Sequence, residues 1–76
     1  MIKDRLIELR KEKGLKRAEA ARAMKFPYTT YVNYETGQRE PAQRALNQIA
    51  DFYNVSIDYL LGRTEIRRYE ERLEEN

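Results

Sequence analysis

The chain contains neither cysteine nor histidine among its 76 residues. The lack of cysteine excludes a disulfide framework and thiolate metal sites, and the lack of histidine excludes imidazole ligands and every catalytic scheme with a histidine base. The acids form no pattern typical of catalysis, so we expect no enzyme, no cofactor and no metal site. No apolar run approaches membrane-span length and no signal peptide precedes Met1, which predicts a cytoplasmic protein with no membrane partner.

Charged residues make up 37% of the chain, so the few large apolar side chains must nearly all be buried in one small domain. The net charge of +2 is unevenly distributed. Residues 1–64 carry a net charge of +4, and residues 65–76 carry a net charge of −2. A basic body favours a polyanionic partner, although an ordinary solvated surface would produce the same imbalance.

Residues 15–41 predict two short helices joined by a sharp turn. The first covers about residues 17–24, where alanine, arginine, glutamate and methionine all favour helix. The second covers about residues 28–36, because Pro27 suits a helix start and Gly37 suits the left-handed residue that ends a helix. Two helices separated by so short a turn form a helix-turn-helix unit, whose second helix can enter the major groove of DNA.

The second of these segments also has strand character, because aromatic and β-branched residues alternate along it. The alternating residues are Phe26, Tyr28, Thr30, Val32 and Tyr34. A helical wheel, however, gives two chemically distinct faces. One face carries Pro27, Tyr31, Tyr34 and Glu35, and the other carries Tyr28, Thr29, Val32, Asn33 and Thr36. Hydroxyls, an amide and a small apolar group are the chemistry that reads base edges, which favours the helix.

Three motifs resemble the Cro/C1-type (XRE-like) helix-turn-helix family of phage repressors and bacterial regulators: RLIELRKEKGL, AEAARAMKFPYTTYVNYETGQREP and IADFYNVSIDYLLG. The resemblance spans residues 5–62 and implies an all-α fold, with a compact five-helix DNA-binding domain over residues 1–63. It further implies a sequence-specific transcriptional regulator, most often a repressor that binds an inverted-repeat operator as a dimer. In the family an arginine pairs with a glutamate, which places a structural ion pair at Arg10 and Glu35.

Spacing and end signals predict the other three helices. We expect helix one over about residues 3–13, helix four over about residues 41–53 and helix five over about residues 57–61. Glycine or asparagine follows each of them, and Ser56 is expected to cap helix five. The expected core residues are Ile2, Leu6, Leu9, Leu15, Leu46, Ile49, Ala50, Tyr53, Val55, Leu60 and Leu61.

Three features depart from the pattern of the family. Lys16 stands where serine usually caps helix two, and losing a cap costs about 1 kcal/mol. Beside a phosphate the charges of Lys16 and Arg17 would be favourable, which would explain why they stand at the start of the helix. The alternative explanation is neutral drift on a tolerant surface. Lys25 replaces a glycine at the turn, where a left-handed residue other than glycine costs on the order of 1 kcal/mol. A small Ala20 faces a large Tyr31, an exchange that conserves core volume.

DNA contacts are expected on the polar face of the second helix and around it. The expected base contacts are Tyr28, Thr29, Val32 and Asn33, and the asparagine amide can pair bidentately with adenine. Phosphate contacts are expected near helix N-termini and in the loop after the second helix. These residues are Lys16, Arg17, Thr30, Gln38, Arg39 and Arg44.

Residues 64–76 differ in composition from the domain and predict an additional charged, helical C-terminal tail. Ile66, Tyr69 and Leu73 would form one narrow apolar stripe, which is a candidate homodimer contact. The tail could equally dock on its own domain or begin a linker.

Other functions stay open beside that of a regulator of double-stranded DNA. The chain could be the DNA-binding antitoxin of a toxin–antitoxin pair, the N-terminal DNA-binding part of a larger repressor, or a protein-interaction module.

Overall fold

The computed structural model describes residues 2–68, and this part of the chain consists of five α-helices and their connections. The helices are α1 (Lys3–Glu12), α2 (Arg17–Met24), α3 (Tyr28–Thr36), α4 (Gln43–Tyr53) and α5 (Ile57–Leu60). The predicted all-α, five-helix fold is confirmed. Among the described residues, no helix has the length and apolar character needed to cross a membrane.

The segment with strand character, α3, is helical because only one of its sides is buried. Tyr31, Tyr34 and Glu35 are buried at the spacing of one helical face. Tyr28, in contrast, is 54% exposed, which makes it the most exposed large apolar side chain among the described residues. A strand would have buried alternate residues, whereas the core here covers positions three and four apart.

Three helix ends differ by one or two residues from those that the sequence predicts. α1 ends at Glu12 and α5 at Leu60, each one residue early. α4 begins at Gln43 instead of Pro41, because Pro41 is buried in the preceding loop and Ala42 takes the extended conformation of an N-cap. Pro41 therefore ends the loop and does not open the helix.

Left-handed residues end α2 and α4, as the sequence predicts. Lys25 has φ 63° and Asn54 has φ 58°. At the end of α2, the Phe26 N–H donates to the Ala21 carbonyl over 2.9 Å, so the tight turn is retained although lysine replaces glycine. At the start of α5, Ser56 Oγ accepts a hydrogen bond from the Tyr59 N–H over 3.0 Å, which confirms the predicted cap.

The core forms where α3 packs on α1 and α2, and where α5 packs on α1 and α4. The expected core residues are buried, except that Leu15 and Leu61 are partly buried against the core. Ala20 and Tyr31 are both fully buried. This burial is required if the large tyrosine fills the core volume that the small alanine leaves. Tyr34, which the helical wheel places on the inner face, is buried, and the core also contains buried side chains that the sequence did not single out: Ala21, Met24, Ala45 and Tyr59.

Residues 64–68 form a non-helical segment, the C-terminal strap, which packs back on α1 and α5. The prediction of a helix beginning at Thr64 is therefore wrong for these residues. Arg5 donates to the Thr64 carbonyl over 3.2 Å and to the Glu65 carboxylate over 3.0 Å. The remainder of the predicted tail, including Tyr69 and Leu73, lies outside the described residues.

Arg67 fixes the far end of the strap. Its guanidinium donates two hydrogen bonds, of 2.8 and 2.6 Å, to the Glu12 carboxylate, and its carbonyl accepts from the Ser56 N–H. The Tyr59 ring contacts two guanidinium groups, with Arg5 4.0 Å and Arg67 5.4 Å from its centroid. These tertiary contacts use backbone and side-chain groups that a helix would have directed elsewhere, so they override the helical propensity of the strap.

Candidate nucleic-acid interface

The outer side of α3 carries the four residues expected to contact bases. Tyr28 and Thr29 are exposed, and Val32 and Asn33 are half-buried. The four side chains form one surface because Tyr28 and Val32, like Thr29 and Asn33, lie four residues apart on the helix, and Thr29 and Val32 lie three apart. This surface offers two hydroxyls, an amide and a small apolar group, a set that can pair with base edges and contact a thymine methyl group.

Packing fixes the turn between α2 and α3. The Phe26 ring meets the Tyr34 ring edge-on, with centroids 5.6 Å apart and ring planes at 86°. Gln48 of α4 donates to the Met24 carbonyl at the end of α2 over 3.4 Å. The aromatic contact ties the turn to α3, and the Gln48 amide ties α4 to the end of α2. Both α3 and α4 are therefore fixed against the turn that follows α2.

The loop after α3 is anchored to that helix by its backbone. The Asn33 carbonyl accepts hydrogen bonds from the Arg39 N–H over 3.2 Å and from Thr36 Oγ1 over 3.3 Å. Gln38 and Arg39 are exposed in this loop. Of the other residues expected to contact phosphate, Arg44 is exposed and Thr30 is half-buried.

The sequence did not indicate that Lys3 belongs to the same region. A Cβ atom at Gly37 would lie 3.2 Å from Lys3 Cδ, so the lysine side chain lies directly over the glycine. Gly37 also has φ 82°, a conformation that favours glycine. Lys3 of α1 therefore adds a cation beside the loop, although 34 positions separate it from Gly37 in the sequence.

The N-terminus of α2 differs from the bare terminus that the sequence suggested. The Lys16 N–H donates to Glu19 Oε1 over 2.7 Å, which supplies one half of a capping box. The other half is absent because the lysine side chain has no acceptor atom and makes no cap hydrogen bond. Lys16 itself is exposed.

Arg17 has a partner that was not expected. Its Nε donates to Glu35 Oε1 over 3.1 Å, and its side chain is 40% exposed. Arg17 therefore combines a buried ion-pair contact with an exposed portion, and it is not a freely solvated cation. Sequence reasoning missed the pair because the two residues are 18 positions apart and no local signal connects them.

Glu35 holds the ion pair that the resemblance implies. Arg10 donates from Nε to Glu35 Oε2 over 2.6 Å and from its terminal nitrogen to Oε1 over 3.1 Å. Arg10 also donates to the Leu15 carbonyl over 2.9 Å. The Glu35 side chain is fully buried, so these bonds must replace the hydration of its charge. A single carboxylate of α3 thus joins α1 and α2.

Two tyrosine hydroxyls extend this cluster to α4. The hydroxyls of Tyr31 and Tyr53 lie 3.1 Å apart. Burial raises the pKa of Tyr31 well above its ordinary range, and a hydrogen bond to Glu35 raises it further, so the phenol is neutral. We refer to Arg10, Arg17, Tyr31, Glu35 and Tyr53 as the Glu35 network.

The ionisation of Glu35 is decided by this network. Burial raises the pKa of its carboxyl group, but hydrogen bonds from Arg10, Tyr31 and Arg17 outweigh that effect and hold the pKa below its ordinary value. The carboxylate is therefore charged at neutral pH, and it offsets one of the two guanidinium charges.

Comparison with known proteins gives a family model, described as helix-turn-helix, that matches residues 6–60. The HTH-type transcriptional regulator AnsR of Bacillus subtilis (strain 168) is 42% identical over 60 residues, covering 79% of this chain and 52% of the relative. The HTH-type transcriptional regulator ImmR of the same organism is 37% identical over 67 residues, covering 88% of this chain and 53% of the relative.

A third relative is the cryptic phage CTXphi transcriptional repressor RstR of Vibrio cholerae serotype O1 (strain ATCC 39315 / El Tor Inaba N16961). It is 39% identical over 62 residues, covering 82% of this chain and 55% of the relative. The chain thus spans about half the length of the curated relatives it matches. No solved structure matches the chain significantly.

Replacing Glu35 with glutamine tests the role of the buried carboxylate in the fold. The substitution leaves Arg10 and Arg17 without their counter-charge, so the free energy of unfolding at pH 7 should fall by about 3–5 kcal/mol. Urea unfolding followed by circular dichroism measures the change. Asp51→Asn, which removes an exposed carboxylate on α4, is the control and should change stability by less than about 0.5 kcal/mol.

The same variant should alter the pH dependence of stability. Because the pKa of Glu35 is lower in the folded state, its contribution is fully present above the ordinary value of 4.5 and is lost as the pH falls through the folded pKa. The wild type should therefore lose more stability than Glu35→Gln on acidification below about pH 4.5. Parallel curves of stability against pH for the two proteins would show that ionisation of Glu35 does not stabilise the fold.

Proposed function

Because the chain belongs to the Cro/C1-type (XRE-like) helix-turn-helix family, we propose that it is a cytoplasmic, sequence-specific DNA-binding transcriptional regulator without enzymatic activity. The observation that carries this proposal is the arrangement of α3. Its outer side is mostly polar and is exposed or half-buried, while its inner side is bonded to α1, α2 and α4. A helix held in this way can enter a major groove as a rigid element.

In this proposal, the side chains of Tyr28, Thr29, Val32 and Asn33 read the bases. The Asn33 amide pairs bidentately with an adenine, and Val32 or the Thr29 methyl group contacts a thymine methyl group. The exposed Tyr28 hydroxyl reaches a base edge or a phosphate. Asn33 is only half-buried, so part of the residue stays accessible for this pairing.

Phosphate contacts in this proposal come from three elements besides α3. Lys16 and the exposed part of Arg17 contribute from α2, Gln38 and Arg39 from the loop, and Arg44 from α4. Thr30 can add a hydroxyl from α3 itself. These groups would position the protein on the duplex and supply affinity that depends on salt, but little sequence information.

We further propose that the protein is a repressor that binds an inverted repeat as a homodimer, with residues 1–63 as the DNA-binding unit. One α3 helix reads too few base pairs for selectivity, and two subunits would read half-sites about 34–36 Å apart. The name of the RstR relative, a transcriptional repressor, supports this direction of control. Tyr69 and Leu73 remain the proposed dimer contacts, while Ile66 lies in the non-helical strap and does not begin a helical stripe with them.

A second candidate function is that of the N-terminal DNA-binding part of a larger repressor. The observation that favours it is the length of the relatives, of which the chain spans about half. DNA recognition through α3 is common to both candidates, and they differ only in which residues hold two subunits together.

Asn33→Ala tests the base-reading surface. Affinity for a duplex selected from a random library should fall by about 1–3 kcal/mol, with relaxed preference at one position, because a bidentate pair is lost. Affinity for duplexes of unselected sequence should hardly change, since alanine keeps the backbone carbonyl that holds Arg39. Fluorescence anisotropy titrations measure both. Asn47→Ala, which removes an exposed amide from α4, is the matched control. Unchanged affinity for the selected duplex would contradict the assignment.

Lys16→Ser separates phosphate binding from stability. Serine can accept a hydrogen bond from the Glu19 N–H and complete the capping box, so stability should rise by about 1 kcal/mol. Binding to all duplexes should weaken, and the slope of log K against log salt should fall by about one. Arg63→Ser removes the same charge at an exposed site after α5 and should leave the slope unaltered. An equal decrease of the salt slope in both variants would show that the slope follows the net charge of the protein, and would contradict a phosphate contact at Lys16.

Replacing Tyr69 and Leu73 together with serine tests the proposed dimer. If their apolar surface is buried between subunits, the variant should be monomeric at concentrations where the full chain is dimeric, because the buried apolar area drives association. Analytical ultracentrifugation over a range of concentrations measures the two states. Glu70→Gln with Glu74→Gln is the control, and it should leave the dimer intact. A wild-type chain that sediments as a monomer throughout would contradict the proposal.

A further inference from the structure

We propose that the buried hydroxyl pair of Tyr31 and Tyr53 is a positioning device that sets the rotation of α3 and thereby the base preference of its outer surface. The inference rests on the proposed function and adds to it two residues that touch no DNA. The Tyr31–Tyr53 contact crosses between α3 and α4 in the fully buried part of the domain.

Rotation of α3 matters because its outer side chains must meet base edges within hydrogen-bond distance. With side chains, a helix has a radius of about 5–6 Å, so a rotation of about 10° moves the outermost atoms by about 1 Å. A hydrogen bond that is lengthened by this amount is lost. The base preference of Asn33 and its neighbours therefore depends on contacts made on the opposite side of the helix.

Two polar anchors hold that opposite side. Glu35 ties the last turn of α3 to α1 and α2 through Arg10 and Arg17. Tyr31 lies one turn earlier on the same face and ties the helix to the end of α4 through Tyr53. One anchor alone would leave α3 able to pivot about Glu35, whereas two anchors a turn apart fix both its rotation and its tilt.

The hydrogen-bond chain has a direction. Each phenol has one hydrogen to donate, and the Glu35 carboxylate is a stronger acceptor than a neutral hydroxyl. The hydrogen bond with Glu35 that raises the pKa of Tyr31 is therefore donated by Tyr31, whose hydroxyl oxygen accepts from Tyr53. Every hydroxyl hydrogen of the pair is then used, and the geometry at Tyr31 Oη is constrained by both neighbours.

Packing alone does not explain these hydroxyls. Two phenylalanines would fill nearly the same volume, and replacing both partners of the Tyr31–Tyr53 bond by apolar groups of the same shape costs little for that bond itself, apart from the donor that Glu35 loses. A buried hydroxyl also requires a partner to offset its desolvation. What the polar pair adds over two phenylalanines is directionality, because a hydrogen bond restricts angles that van der Waals contact leaves free.

The test compares the wild type with a double variant that carries both Tyr31→Phe and Tyr53→Phe. Selection from a library of duplexes with a randomised centre gives the base-preference profile of each protein. Titration then gives the ratio of affinities for the duplex selected by the wild type and for one of unselected sequence. We expect the double variant to lose about fivefold or more of this ratio, with an altered profile and with its affinity for unselected DNA within about twofold of wild type.

Tyr34→Phe is the matched control, because it removes a hydroxyl from another buried tyrosine of α3 that lies outside the Glu35 network. Its profile and affinity ratio should equal those of the wild type. Tyr53→Phe alone is the milder variant if the double variant unfolds, since it keeps the Tyr31 hydroxyl for Glu35. Its ratio should fall between those of the control and the double variant.

The outcomes separate the two proposals. Wild-type protein that selects no duplex overturns the proposed function, and the positioning role falls with it. Wild-type protein that selects a duplex, with the same profile and ratio in the tyrosine variants and in Tyr34→Phe, overturns the positioning role alone. A loss of thermal stability without any change in profile also overturns it, because the pair would then be structural only.

Discussion

The fold depends on one buried negative charge. Glu35 is on the inner side of α3, and its carboxylate is removed from water, so the domain must supply donors that replace hydration. Those donors come from Arg10 on α1 and Arg17 on α2, and Tyr31 adds a hydroxyl that connects to α4. The Glu35 carboxylate thus joins α1 and α2 to α3, and the contact between the Tyr31 and Tyr53 hydroxyls adds α4 to the same cluster. Among the described residues, no buried side-chain polar atom lacks a partner, so the requirement is met in full.

Much of this architecture follows from local sequence signals. The helical wheel of α3 correctly separated Tyr31 and Glu35 from the outer face, because helical periodicity and burial act over a few residues. Left-handed backbone at Lys25 and the cap at Ser56 were likewise predictable, since turn chemistry is set by neighbours in sequence. The start of α4 was predicted at Pro41, two residues too early. Errors of this size are typical of helix boundaries, which depend on how the preceding loop packs.

What the sequence did not reveal are contacts between distant residues. The bond from Arg17 to Glu35 and the cover of Gly37 by Lys3 leave no periodic or local trace. The strap is the clearest case. Residues 64–68 favour a helix by composition, but the pairing of Arg67 with Glu12, 55 positions away, fixes them in another conformation. Helix propensity is worth only tenths of a kcal/mol per residue, so one such set of charge-assisted hydrogen bonds can outweigh the propensity of a short segment.

The strap also brings together the two ends of the described chain. Arg5, near the start of α1, bonds to Thr64 and Glu65, so the first and last described segments are neighbours although nearly sixty positions separate them. A short linker could therefore join them, and the chain could be opened at another surface loop without loss of any helix. Proximity of the start of α1 to the strap makes the part that residues 2–68 form suited to circular permutation, or to insertion as a module into a loop of another protein.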